Sequence, residues 1–176
     1  METTYCLFAC LLDYPTADLG RQSGECFDWL SWAGSPAAAP IATFRDYVRE
    51  APQARREELY TRTFDLQAVC SPYVGYQLFG DSYKRGIFMA RLNEGYRERG
   101  FSAGIELPDH VAVVLRFLAL GTEDEFSRAL RDEGMVPAVA KMLQSLGSPS
   151  ENPYSEVIGA LSLALGEPDK AGVDDA

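Results

Sequence analysis

The stretch from Glu106 to Gly121, ELPDHVAVVLRFLALG, decides the fold of this chain. Between Val111 and Leu120 the one charged side chain is Arg116, so the segment is apolar on nearly every face. A helix of that kind must be surrounded by other elements, and the spacing predicts a central buried helix. Leu107-Pro108 suits a helix start, because proline is tolerated in a first turn where its missing N–H costs nothing, and Asp109 would then face the positive end of the macrodipole. Gly121 is a natural stop. His110, the single histidine of the chain, lies at that start beside Asp109.

Working outward, the 176 residues fit one domain able to bury a core without staples. The hydrophobic share of 47% places the chain among globular proteins. Asp and Glu number 26 against 16 Lys and Arg, a formal charge of −10, so there is no excess of cations to neutralise phosphates and nucleic acid is not an expected partner. That charge serves solubility, or attraction for a basic ligand or peptide. The apolar run Tyr5–Leu12 lacks the flanks of a secretory signal, since Glu2 stands where Lys or Arg would and Asp13 and Pro15 follow it. It reads as a first helix of a cytoplasmic protein, capped by Thr3 or Thr4 and ended by Pro15. No apolar run approaches the roughly 18 residues of a transmembrane span.

Helical periodicity recurs along the rest, and no clean two-residue alternation competes with it. A short piece is expected over 24–33, and another from about Pro40 with Ile41, Phe44, Tyr47 and Val48 in phase. After Pro52 a partly buried surface helix carries Leu59, Thr63 and Leu66 on one stripe, with Tyr60 and Phe64 as a neighbouring i, i+4 pair. Residues 68–80, AVCSPYVGYQLFG, lack a period and read as a long loop, either packed on the body or reserved for a partner. Asp81-Ser82 caps a helix whose Phe88, Leu92 and Tyr96 face inward. Beyond the central helix, Thr122 and Glu125 form a capping box, Gly134 stops that helix, and two more follow Pro137 and Pro153. The expectation is an all-α single-domain bundle of about eight to nine helices over residues 1–166, followed by a polar, disordered tail at 167–176.

Signatures of catalysis are scarce. The chain has no GxSxG, P-loop, GxGxxG or HExxH, and one histidine cannot build a multi-histidine metal site. Cys6, Cys10, Cys26 and Cys70 form no CxxC pair, so neither metal binding nor disulfides are expected. Asp109 and His110, with Glu106 near, are the candidates for an acid–base unit. Adjacent helical residues point about 100° apart, however, and no nucleophile is marked. The plain alternative is a helix start with His110 packed beside it.

Four blocks in order, LYTRTFDL at 59–66, FGDSYKRGIFMARL at 79–92, YRERGF at 96–101 and ELPDHVAVVLRFLA at 106–119, resemble the TorD/DmsD/NarJ superfamily of molybdoenzyme maturation chaperones, above all its nitrate reductase delta-subunit (NarJ-like) branch. The resemblance spans about residues 1–165. It implies a TorD-like, cytoplasmic, non-enzymatic chaperone without a cofactor of its own. Such a protein binds the N-terminal leader, of the twin-arginine type, of a molybdenum oxidoreductase catalytic subunit, and assists cofactor insertion before export or membrane docking. It implies a monomer or a domain-swapped dimer, with no insertion into the membrane. Leader recognition is associated in that family with the acidic-Pro-Asp-His signature, here Glu106, Pro108, Asp109 and His110, and with the aromatic block, here Tyr60 and Phe64. An acidic body suits a basic, apolar leader docked in a groove, and Tyr73, Tyr76 and Phe79 are placed to line or cover it. The loop CSPYVGYQLFGDS lacks the histidine-bearing pattern of dedicated nitrate reductase chaperones, which leaves the client open.

Overall fold

The computed structural model describes residues 1–66, 68–122, 124–147 and 151–166. Its α-helices are α1 (Glu2–Leu11), α2 (Leu19–Trp32), α3 (Ala38–Glu50), α4 (Gln53–Phe64), α5 (Val74–Phe79), α6 (Tyr83–Glu98), α7 (Val111–Leu118), α8 (Glu125–Ala129), α9 (Val136–Leu146) and α10 (Tyr154–Gly166). The fold is all-α, as expected, and among the described residues the sole β feature is an isolated bridge between Tyr73 and His110. No described helix is long and apolar enough to cross a membrane. The tail expected at 167–176 lies outside the described residues.

Helix α7 is buried on every position except Arg116. Each Val, Leu or Phe so buried contributes roughly 1.5–3 kcal/mol relative to exposure, which is why this short helix can anchor the bundle. It packs along α1, and the other layers are α3 between α2 and α10, and α9 between α10 and α5. Two aromatic clusters flank this frame. In one, Tyr154 of α10 lies 4.9–5.9 Å from Phe44, Tyr60 and Phe64. In the other, Tyr96, Phe101, Phe117 and Phe126 form a chain of rings with centroids 4.6–5.8 Å apart.

Several local expectations change. The central helix starts later than its sequence suggests, with His110 as N-cap, so Pro108 and Asp109 stand outside it and Asp109 does not face the macrodipole from a first turn. Residues 74–79, expected in a loop, form the six-residue helix α5, ended at Gly80 with φ +61°. Leu66 leaves the stripe of α4 and is 73% exposed, because the helix stops at Phe64. Thr4 does not cap α1; its hydroxyl accepts from the Trp29 indole at 3.0 Å, tying α1 to α2. Ser82 takes the N-cap position of α6 without a side-chain cap bond. The cap of α8 is Asp124, whose carboxylate accepts from Ser127 N at 2.8 Å, not the Thr122–Glu125 pair. Gly134 does not end its helix. The chain runs through a π-helical segment, Leu130–Met135, into α9. That widened turn precedes Pro137, whose ring would crowd the carbonyl four residues back in a regular α-helix.

Candidate functional site

The segment before α7 is fixed from three sides. Val74 N donates to Asp109 O at 2.7 Å and Val111 N to Pro72 O at 2.9 Å, which pairs the start of α5 with the start of α7. From α6, the buried Tyr96 hydroxyl donates to Pro108 O at 2.8 Å. His110 then caps α7, its Nδ1 accepting from Ala112 N at 3.2 Å. That lone pair exists only on an unprotonated Nδ1. Burial lowers the pKa of His110 below its ordinary value, against an opposing pull from Glu106 and Asp13, and so favours the same neutral state. The ring lies edge-on to Tyr73, centroids 5.5 Å apart.

Asp109 and His110 do not work on one another as an acid–base pair. The Asp109 carboxylate is fully buried and forked by Arg85, Nε to Oδ2 at 2.8 Å and Nη2 to Oδ1 at 3.3 Å. The Arg85 guanidinium also lies 5.0 Å from the Tyr73 ring centre and 5.8 Å from that of Tyr76. Gly75 permits this closeness, since a Cβ there would sit 2.7 Å from Asp109 Oδ2 and 2.9 Å from Phe88. Cation and rings attract through the ring quadrupole, and a forked guanidinium–carboxylate pair is among the stronger charge-assisted contacts.

The expected recognition residues thus divide by depth. Tyr60, Phe64, Pro108, Asp109 and His110 are buried, Tyr73 is half-buried, and Tyr76 and Glu106 are exposed. The Tyr73 hydroxyl donates to Glu106 Oε1 at 3.3 Å. Tyr60 is reached through Tyr14, whose ring stands edge-on to it at 5.5 Å and is 55% exposed. Burial raises the Tyr60 hydroxyl well above the ordinary phenol range, and the carboxylates of Asp13, Glu106 and Asp65 raise it further. Those three acids are therefore within electrostatic reach of the Tyr60 hydroxyl. Asp13 is itself paired with Arg116 of α7. Exposed Leu66, Val69, Ile105 and Leu107 border the same segments in the chain. The surface over the α7 start is in this way aromatic and acidic, with apolar side chains on the neighbouring loops.

Three participants were not singled out from sequence. Tyr14 and Asp13 follow the end of α1, about fifty residues from Tyr60, and Arg85 belongs to α6. No local signal in the sequence marks Arg85, which stands among mostly exposed residues on the first turns of α6. Cys26 and Cys70 are buried thiols pushed up to about 12 by desolvation, which makes them inert at neutral pH. Among the described residues no group of three or more His, Cys, Asp or Glu is placed to hold a metal ion.

The same fold occurs in a solved structure from Archaeoglobus fulgidus described as a redox enzyme maturation protein, with a TM-score of 0.67, 22% identity and coverage of 95% of this chain and 94% of that one. In sequence, the chain is 27% identical over 170 residues to the Bacillus subtilis protein named "Probable nitrate reductase molybdenum cofactor assembly chaperone NarJ", covering 93% of this chain and 89% of that protein. It is 30% identical over 152 residues to the Mycobacterium tuberculosis "Nitrate reductase-like protein NarX", covering 86% of this chain and only 22% of that longer protein. The family model described as "Nitrate reductase delta subunit" matches residues 33–149, the span holding α4, the Arg85–Asp109 pair and α7, and the chain belongs to that family.

Proposed function

We propose that this chain is a system-specific maturation chaperone that binds the basic, apolar N-terminal leader of a molybdopterin oxidoreductase catalytic subunit. It holds that subunit in the cytoplasm while its cofactor is inserted, before export or membrane docking, and catalyses no reaction itself. The observation that carries this reading is the acidic and aromatic surface by the α7 start, in a chain of this family: exposed Tyr14 edge-on to the buried Tyr60, and Tyr73 bonded to the exposed Glu106. Carboxylates beside aromatic faces recognise cationic side chains, and adjoining apolar positions accept the hydrophobic part of a leader. In this account His110 positions the site, because its Nδ1 is engaged in capping α7. Tyr73, Tyr76 and Glu106 meet the peptide directly, and Tyr60 and Phe64 support Tyr14 from beneath.

The test is calorimetry of the full chain with a synthetic peptide from the N-terminus of a molybdoenzyme encoded beside it. Binding is expected, weakened several-fold by Tyr14→Ala and by Glu106→Gln, both at exposed positions. Absence of binding, together with normal cofactor loading of the client when the chaperone gene is deleted, would end the proposal. A second reading, a helical interaction module in which the Pro-Asp-His signature only locks the α7 start, draws on the burial of Asp109 and His110. It expects the two exposed variants to leave peptide affinity unchanged.

A further inference from the structure

We propose that Tyr73, Tyr76 and Asp109 form a guanidinium site that the chain's own Arg85 fills in the free protein, and that an arginine of a bound peptide enters it by displacing Arg85. The identity of the guest rests on the leader reading; the existence of the site does not.

The donor and acceptor set is specific. Two oxygens of one fully buried carboxylate meet two nitrogens of the guanidinium at 2.8 and 3.3 Å. Two tyrosine rings face the same group at 5.0 and 5.8 Å. A planar fork stacked on aromatic rings suits arginine and not the compact ammonium of lysine. Gly75 keeps the floor open, since a Cβ there would lie 3.1 Å from Arg85 Cγ as well as against Asp109. The site also reaches the surface, because the Arg85 side chain is 17% exposed and Tyr73 bonds to the exposed Glu106.

The present occupant is weakly held by its own helix. From Tyr83 to Arg91 no residue is buried, and Tyr83 and Ile87 are 77% and 49% exposed. The buried residues of α6 are Leu92, Gly95 and Tyr96, farther along. Its first turns are tied down by Arg85 in the site and by half-buried Phe88 against Phe79, centroids 5.8 Å apart. Segments with so little burial open at low cost. A buried ion pair adds little net stability, and its best attested use is in fixing a register or a switch. An arginine from outside finds the same carboxylate and the same rings, while α6 loses only the contacts of its first turns.

Competition for the site sets the size of the effect. If Arg85 occupies it about 99% of the time, a guest binds about 100-fold more weakly than it would to the vacant site. Arg85→Ala should therefore bind an arginine-bearing leader peptide at least about tenfold more tightly than the unaltered chain.

The experiment uses the full chain and three probes. Methylguanidinium should raise the melting temperature of Arg85→Ala, methylammonium should not, and neither should act on the unaltered chain or on Arg85→Ala/Asp109→Asn. In the unaltered chain, amides of residues 83–91 should lose hydrogen-exchange protection when the arginine peptide binds and keep it with the Arg→Lys version of that peptide. Absence of rescue, equal rescue by methylammonium, or unchanged or increased protection of 83–91 on binding overturns the proposal. The exchange measurement needs no variant, so it decides even if Arg85→Ala fails to fold. Rescue by methylguanidinium with no peptide binding to any form upholds the site and sinks the leader as its guest. Peptide binding without rescue sinks the site alone.

Discussion

Replacing the two partners of the Arg85–Asp109 pair one at a time should have unequal costs, and the inequality follows from their depth. Arg85→Ala leaves a carboxylate with 0% exposure and no cation beside it. Stranding a buried charge in this way costs about 3–5 kcal/mol. Asp109→Ala leaves instead a guanidinium that is 17% exposed on helical turns with no buried residue, from which it can swing into water. Its loss is then closer to that of a charge-assisted hydrogen bond, about 1.5–3 kcal/mol. The double variant strands nothing and should cost less than the sum of the two by about 1–3 kcal/mol. In a domain of this size each kcal/mol moves the melting temperature by about 2–4 °C, so Arg85→Ala should melt roughly 6–20 °C lower. Urea unfolding followed by circular dichroism gives all three values. An Asp109→Ala cost equal to or above that of Arg85→Ala, or a double variant that is simply additive, would refute the reasoning.

Three further outcomes are expected. Because burial lowers the pKa of His110 in the fold, the unfolded chain takes up a proton first as pH falls, so stability is fully present above about 6.5 and is lost below it. His110→Asn, which keeps an acceptor for Ala112 N, removes this loss, and its urea midpoint should gain on that of the unaltered chain between about pH 7.5 and 5.5. Gly75→Ala should destabilise by about 1–3 kcal/mol, since the new methyl meets Asp109 at 2.7 Å and Phe88 at 2.9 Å. Gly86→Ala on α6, with nothing within 4 Å, should stabilise by about 0.5–1 kcal/mol, and thermal melts of the pair check the opposite signs. Tyr14→Ala should cost about 0.5–1.5 kcal/mol, the worth of its edge-on contact with Tyr60, and leave the fold intact while peptide affinity falls, two effects that urea melts and calorimetry read separately.

Local chemistry in the chain already specifies the helices and the all-α class. Val111–Leu118 has no polar face to offer solvent, so it must be enclosed, and Gly147 supplies the positive φ that ends α9, whereas α7 is already capped at Ala119, two residues before Gly121. Competition between local signals is where the sequence misleads. Gly134 reads as a stop, yet a π-helical segment carries the backbone through it to Pro137. Residues 74–79 lack a period because the helix they form is too short to show one, and it is held by the pairing of Val74 and Val111 with the far-off Asp109 and Pro72.

The site follows the same division. The stretch 106–110 marks itself as a place of interest by its residue types, and the tyrosines at 60, 73 and 76 mark themselves as aromatic material near it. Which of these atoms face water, and which are used up within the protein, depends on contacts across long gaps in the chain. Arg85 meets Asp109 across 24 residues, Tyr73 meets Glu106 across 33, and Tyr60 reaches Leu12 O across 48. Hydrogen bonds and charges act over a few ångströms of space and know nothing of separation along the chain. The sequence alone could therefore supply most residues of the candidate site, and only the tertiary packing could turn Asp109 inward onto Arg85, set His110 as a cap, leave Tyr73 half-buried and keep Tyr14, Tyr76 and Glu106 at the surface.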